Sequence, residues 1–374
     1  MNFLRSANKE TEDIEVSPDY SRLYVGHNNG TTDLTKFWYE LKILDTELNE
    51  VYTDQIELEN NEALNTMDFK FNANGDAAIV ARRVKDSEDR EKGKPNVFYT
   101  AAVLRNGEVT RYQLELGGYH TSDIQLTFAP DNGLILAGFY STKSENAANG
   151  IFMVREDIEV QGLMDIKHYE FTVDEITRFS SEKSEKRANK KEETGKEVEF
   201  RNYDIRNIEV NDEAIFIVSE QFHITVLSSY SASGSSNTTY HYNFMDVMVI
   251  KLDFEGNVLW ISRVPKYNYT STSSSPYGFE AMFNRLGSAF SNPWGGYNGI
   301  NTLHLDQEAI NNASPFSSYN YTTKDGNIYI LYNDHLKNHT EYNPKKIVKS
   351  KKGGDNAVTC LARIDNEGNL SRKY

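Results

Sequence analysis

One β-hairpin, complete in a single stretch and repeated more loosely four more times, constrains this chain more than any other feature. In Asp246 to Lys266 (DVMVIKLDFEGNVLWISRVPK), Val247, Val249 and Lys251 fall on one face and Met248, Ile250 and Leu252 on the other, as a strand requires. Asp253-Phe254-Glu255-Gly256-Asn257 supplies the turn, with Gly256 available for a positive φ. Val258 to Val264 returns, with Trp260 in mid-strand.

The looser copies share a plan: an inner strand, a turn rich in Asp, Asn or Gly, a second strand, a loop, then the hairpin. Copy one reads Asp13 to Val16, a turn at Ser17-Pro18-Asp19, Arg22 to Gly26, and a hairpin from Phe37 to Leu58 that turns at Asp45 to Asn49. Copy two reads Asp68 to Phe71, Asn72 to Gly75, Ala77 to Ala81, and a hairpin from Val97 to Leu116. That hairpin turns at Asn106-Gly107, a strong signal between apolar strands. Copy three reads Asp123 to Leu126, Pro130 to Gly133, Leu134 to Phe139, and a hairpin from Gly150 to Phe171. Copy four reads Asp204 to Ile208, a turn at Asn211-Asp212, Ala214 to Ser219, a polar loop from Ser228 to Thr239, and the complete hairpin. Copy five reads Tyr319 to Tyr321, Lys324 to Gly326, Asn327 to Tyr332, and a hairpin from Ala357 to Tyr374 that turns at Asp365 to Asn369.

Four strands per unit, repeated radially, is the β-propeller solution to exposed sheet edges. A bare blade takes about 40 to 50 residues. The early copies fit that length, and the later ones need insertions. The sequence therefore predicts one all-β domain over residues 1–374, a β-propeller with five recognisable four-stranded blades and two large insertions, 172–199 and 267–318. A ring of six or seven blades in a longer parent is the alternative count, and a β-sandwich would leave the repeat unexplained. The first insertion is nearly pure mixed-sign charge (SSEKSEKRANKKEETGKE), which reads as a solvated helix or a disordered loop.

The 374 residues carry a net charge of -15, which argues against nucleic-acid binding and against docking on anionic lipid. No apolar run is long enough to span a membrane, and MNFLRSANKETED has no signal-peptide core. The single cysteine, Cys360, sits in an apolar strand pattern and reads as a buried thiol. Catalytic and cofactor signatures are missing: there is no phosphate-binding loop, no H-E-x-x-H, no G-x-S-x-G and no paired C-x-x-C. No cofactor, metal or catalytic residue is assigned. His335 and His339 would share a face of a helix, but their surroundings read as a loop. The Asp253 to Asn257 and Asp365 to Asn369 turns resemble calcium loops faintly and lack the distal Glu.

Ala214 to Gln221, Tyr240 to Asn243, KLDFEGNVLW from Lys251 to Trp260, Val264 to Lys266, and LILAGFY from Leu134 to Tyr140 together resemble bacterial envelope or secreted propeller-like repeat proteins. The resemblance covers the repeat units and concerns fold; no activity or functional residue transfers with it. It implies a periplasmic or extracellular location, with the cytoplasm as the alternative, and a binding or scaffolding role within a larger envelope assembly.

Two constellations are candidate sites. Asp13, Asp68, Asp123 and Asp204 each open an inner strand and are followed by Ile or Phe. Converging on a central channel, they would bind sugar hydroxyls or work as acid and base; the structural reading is a strand-start Asp that bonds a turn. The second insertion and its flanks carry Tyr267, Tyr269, Tyr277, Trp294, Tyr297, Tyr319 and Tyr321 among Ser, Asn and Gly, a composition suited to recognising a protein partner or glycan. The leading expectation is a non-enzymatic binding or scaffolding module that uses the insertion-bearing face. The alternative is a glycan-active enzyme using the channel carboxylates.

Overall fold

The computed structural model describes residues 12–16, 20–28, 36–59, 64–72, 74–85, 88, 91, 94–144, 147–230, 236–274, 319–351 and 356–374. The chain divides into two compact units, one built of Met1–Gly138, Phe152–Lys167 and Val210–Asp212, the other of Phe139–Ile151, His168–Glu209 and Glu213–Tyr374. Both are dominated by antiparallel β-sheet.

Two four-stranded meanders lie in the first unit. One runs β1 (Glu12–Val16), β2 (Arg22–Asn28), β3 (Lys36–Asp45), β4 (Glu50–Glu59). The next runs β5 (Leu64–Phe71), β6 (Ala77–Val84), β7 (Val97–Arg105), β8 (Glu108–Leu114). A third sheet runs β9 (His120–Phe128), β10 (Leu134–Ser141), β12 (Gly150–Asp157) and β13 (Gly162–Leu163) in order, with β14 (Lys167–Glu170) also on β12. The two-residue β11 (Ala147–Ala148) pairs with β15 (Phe200–Arg201).

The second unit holds the other two meanders. In one, β16 (Tyr203–Val210), β17 (Ile215–Tyr230), β18 (Ser236–Leu252) and β19 (Val258–Val264) follow in order, with β20 (Asn268–Ser274) also on β18 and β23 (Ser350–Lys351) on β20. In the other, β21 (Tyr319–Lys324), β22 (Asn327–His335), β24 (Ala357–Ile364) and β25 (Leu370–Lys373) follow in order. All five expected strand groups thus form sheets, at or near the expected residues.

The turns show why the repeat is legible. Asp45 Oδ1 accepts the amides of Glu47 and Asn49, each at 2.9 Å, and its Oδ2 accepts Asn49 Nδ2 at 3.1 Å. Asp253 with Asn257 and Asp365 with Asn369 repeat this pattern. Their carboxylates are occupied by their own turns, which accounts for the calcium-like spacing. The fourth residue has positive φ in each: Gly256 at 85°, Gly368 at 83°, and Leu48 at 65° without the help of glycine. Asn106-Gly107 and Asp325-Gly326 are tight two-residue turns with positive φ at both positions.

Neighbouring sheets pack through their apolar faces. In the first unit Leu41 of β3 joins Phe69, Ala77, Ile79, Ala81, Ala102 and Leu104 of the second meander. In the second unit Phe216, Val218, Val247 and Val249 meet Ile328, Ile330, Ala362 and Ile364. Each such burial of a large aliphatic or aromatic side chain is worth about 1.5 to 3 kcal/mol. Trp260 adds a polar fastening, its Nε1 donating to Asn366 O at 2.9 Å over the turn of the last hairpin.

The insertion at 172–199 is helical rather than a loop: α1 (Val173–Thr177) is capped by a Thr172–Glu175 capping box, and α2 (Glu182–Glu193) by Ser181. Acidic residues lie in the first turn of α2 and lysines in its last, so its charges suit the helix dipole; Ala188 is its buried residue. The expected polar loop at Ser228 to Thr239 is mostly strand, because β17 continues to Tyr230 and β18 begins at Ser236. Tyr230, Thr238 and Thr239 there are strand formers whose polarity disguises them. The root of the second insertion, Asn268–Ser274, is β20 and pairs with β18 from Thr238 to Phe244.

Candidate functional site

Three of the inner-strand aspartates, Asp68, Asp123 and Asp204, are buried rather than displayed. Asp68 sits at a bulge in β5 and accepts the Leu126 amide of β9 at 2.9 Å, tying two inner strands together. Burial pushes its carboxyl up, against the pull of Lys70 and that amide. Asp123 is buried in β9, with Gln125 Nε2 3.4 Å away. Asp13 lies in β1 opposite Gly26, and its side chain falls outside the described residues. Asp204, in β16, is different. Burial pushes its carboxyl up to about 6, with Glu220 adding to the rise and Arg206 opposing it.

Asp204 belongs to a charged group that the sequence reading missed. Glu220 and Lys266 are fully buried side chains, joined by a 2.5 Å bond from Nζ to Oε1. The other oxygen of Glu220 accepts Arg206 Nη2 at 3.0 Å. Tyr319 covers Lys266, with the ammonium 5.7 Å from the ring centroid, and its buried hydroxyl has no partner among the described residues. The available signal was a glutamate two residues after the apolar run Ile215 to Val218 and a lysine at the end of the hairpin that fills β19. A charge at a strand position flanked by core residues needs a buried partner.

Lys266 also lines an open cleft of about 450 Å³, within the usual size range of ligand sites. Its apolar lining comes from Ile176 and Phe179 at the α1 end, Phe200, Met245, Pro344 and Ile347. Charged groups are set among these side chains. Arg263 donates to Asp246 Oδ2 at 2.5 Å and to the carbonyls of Glu175 and Ile176, which holds the first insertion on the hairpin. Its guanidinium lies between Phe179 and Phe200, 5.1 and 5.0 Å from their centroids. Burial pushes the Asp246 carboxyl up, and Arg263 opposes this. Each cation of the cleft is matched: Arg201 to Glu199, Arg263 to Asp246, Lys266 to Glu220 and Lys345 to Glu185. Such a wall suits a neutral ligand or chain segment rich in hydrogen-bonding groups rather than a strongly charged one.

The candidate aromatics are distributed unevenly. Tyr267 lines the cleft and donates to Asn243 Oδ1 at 3.0 Å. Tyr269 lies in β20, 2.5 Å from His241 Nδ1 through its hydroxyl. Tyr319 and Tyr321 are strand residues turned to packing: Tyr321 OH donates to Glu209 Oε1 at 2.8 Å and accepts Asn207 Nδ2 at 2.6 Å. Tyr277, Trp294 and Tyr297 lie outside the described residues. His335 and His339 are on the short helix α3 (Leu336–Thr340) and its cap rather than in a loop, and both are engaged. His335 Nδ1 accepts the Lys337 amide, and the His339 ring packs on Tyr374 at 4.4 Å. Cys360 is fully buried, and its sulfur accepts Arg372 Nε at 3.5 Å. Among the described residues no group of three or more His, Cys, Asp or Glu is placed to hold a metal, and no helix is long and apolar enough to cross a membrane.

No family model and no curated protein matches the sequence. Among solved structures, the chain is similar to the endosialidase of phage phi92, 8% identical over 88% of this chain and 54% of that one, with a TM-score of 0.37. It is also similar to mutant apocarotenoid oxygenase of Synechocystis, 8% identical over 71% and 65%, at 0.31. The WD40 domain of SCAP from fission yeast is 7% identical over 99% and 88%, at 0.25. The chain spans 61% to 65% of the length of the oxygenase chains it matches. These likenesses assign it neither family nor activity.

Proposed function

We propose that the five main sheets, three of four strands and two with added strands, are blades of a β-propeller and that the protein is a non-enzymatic binding or scaffolding module of a bacterial cell envelope. In this reading it works in the periplasm or outside the cell and engages a protein partner or glycan through the insertion-bearing face. The observation that carries it is the cleft, which takes its walls from the first insertion (Ile176, Phe179, Glu199) and from the root of the second (Lys266, Tyr267). Loops on a rigid scaffold are where recognition concentrates. The envelope location rests on the KLDFEGNVLW style of the hairpin. The test is a photo-cross-linking amino acid at position 345, on the rim. One discrete adduct from an envelope fraction, lost when Gln221→Trp fills the cleft, supports the reading. No adduct from any rim position overturns it.

A second reading, a glycan-active enzyme using acidic residues of the central channel, is favoured by Asp204. A carboxyl half protonated near pH 6 beside an ion-paired glutamate is the kind of unequal pair that glycoside chemistry uses. It expects reducing ends to be released from a glycan panel by the wild type and not by Asp204→Asn. No release by the wild type ends it.

A further inference from the structure

Beyond the cleft, β17 and β18 continue past their sheet as an arm, joined by β20. Residues 222–230, 236–244 and 268–274 contain no acidic residue, in a chain whose net charge is -15. One face of the arm is apolar, where Phe222, Ile224, Tyr242 and Phe244 pack together. The other follows from register. His223, Asn243 and Tyr269 form one cross-strand row, and Thr225, His241 and Ser271 the next. β23 runs parallel to β20 with Lys351 opposite Tyr269, so Lys351 shares this face and, by strand alternation, so does Lys349.

Lys349 is the telling residue. Its ammonium stands 3.6 Å from the centroid of Tyr269 and 4.9 Å from that of Tyr267. Neither Lys349 nor Lys351 is ion-paired to a described residue, whereas every cation of the cleft is. An aromatic face holds an ammonium in place without cancelling its charge. Tyr269 is itself fixed by His241, whose ring stacks on it at 5.8 Å and whose Nδ1 meets its hydroxyl. Screening limits the reach of surface charge to about 8 Å at physiological salt, and the three strands of the arm bring no carboxylate of their own within it.

We propose that this polar face binds an acidic saccharide of the uronate type, with Lys349 and Lys351 meeting its carboxylates and Thr225, His241 and Ser271 meeting its hydroxyls. Two cations beside rows of hydroxyl, amide and imidazole groups match one carboxylate per sugar ring. The dense charge of a nucleic acid, one per about 1.7 Å of duplex, would need many more cations.

The test is calorimetric titration of the full chain with a mannuronate hexamer, a neutral glucan hexamer and an acidic peptide of six glutamates. The hexauronate is expected to bind, more weakly as salt rises, with affinity falling at least tenfold in Lys349→Met and in the Lys349→Met, Lys351→Met double variant. Lys351 is exposed and Lys349 half-buried, and an unchanged melting temperature confirms that the variants fold. Tyr269→Phe, which frees His241 and keeps the ring under Lys349, is expected to lose severalfold. No hexauronate binding by the wild type, equal binding of the neutral hexamer, equal binding of the peptide, or full affinity in Lys349→Met each overturns the proposal. The cleft is tested through a different segment, so either idea can fail alone.

Discussion

Two buried glutamates, one in each unit, use the same chemistry to different ends. Glu156 of β12 receives Arg105 through two bonds of 2.6 Å, the Tyr112 hydroxyl at 2.6 Å and the Leu134 amide at 2.9 Å. Burial alone would raise its carboxyl, but these donors win and hold it below the usual range. It is a fastening between the second meander and the third sheet, with its lone pairs filled. Glu220 of β17 also has both oxygens occupied, by Lys266 and Arg206, yet its surroundings are incomplete. At the Glu156 site Arg105 Nε also lacks a hydrogen bond but faces Asp76 Oδ2 at 3.8 Å, whereas Arg206 Nε and Tyr319 OH lack partners among the described residues and Asp204 beside them takes up a proton near pH 6. Lys266 carries this group to the wall of a cleft. A saturated carboxylate is structural. One whose neighbours are left unsatisfied, next to open space, is where binding or chemistry can be built.

That contrast can be broken in four places. The largest effect is expected from Lys266→Met, which leaves Glu220 short of a partner where both side chains are fully buried. Breaking such a pair costs about 3 to 5 kcal/mol, read by denaturant unfolding, and adding Glu220→Gln should recover part of it. Glu156→Gln comes next, at about 2 to 3 kcal/mol for its charge-assisted bonds, softened because Arg105 keeps some contact with water. If Glu156→Gln proved the costlier change, the ranking of the two sites would be reversed.

Asp204→Asn sharpens the comparison through pH. The folded carboxyl titrates at about 6, above its unfolded value, so the folded state holds the proton more tightly. The wild type is therefore favoured below about pH 4 and loses that advantage as pH rises through 6. The variant should be more stable by roughly 2 to 3 kcal/mol at pH 7, where the rise from 3.8 to about 6 acts in full, and close to wild type near pH 4. Matched melting curves at the two pH values decide it. The smallest effect is expected from Tyr321→Phe, about 1 kcal/mol for the hydroxyl linking Asn207 and Glu209, read as a lowered melting temperature.

Most strands were legible because alternation and turn chemistry are local. The Asp-to-Asn turns at Asp45, Asp253 and Asp365 close on themselves within five residues. The arm was misread where polarity masked strand formers: Thr225 to Tyr230 pairs with Ser236 to His241 in unbroken register. The candidate site was half visible. Tyr267 and Tyr269 were singled out and do stand at the cleft and on the arm. Glu220, Lys266, Arg263 and Lys349 were not, since each acquires meaning from a partner on another strand. Arg263 is one cation among many until Asp246, Phe179 and Phe200 surround it.

By itself the sequence determined the β-rich architecture, the five strand groups and the turns between strands, because period-two burial and positive-φ turn positions depend on residues a few places apart. Only the tertiary structure decided which charges are saturated, where the cleft lies, and that one lysine is held by aromatic rings rather than by a carboxylate. Those outcomes depend on burial and on contacts between distant segments, such as Lys266 with Glu220 or Lys349 with Tyr269.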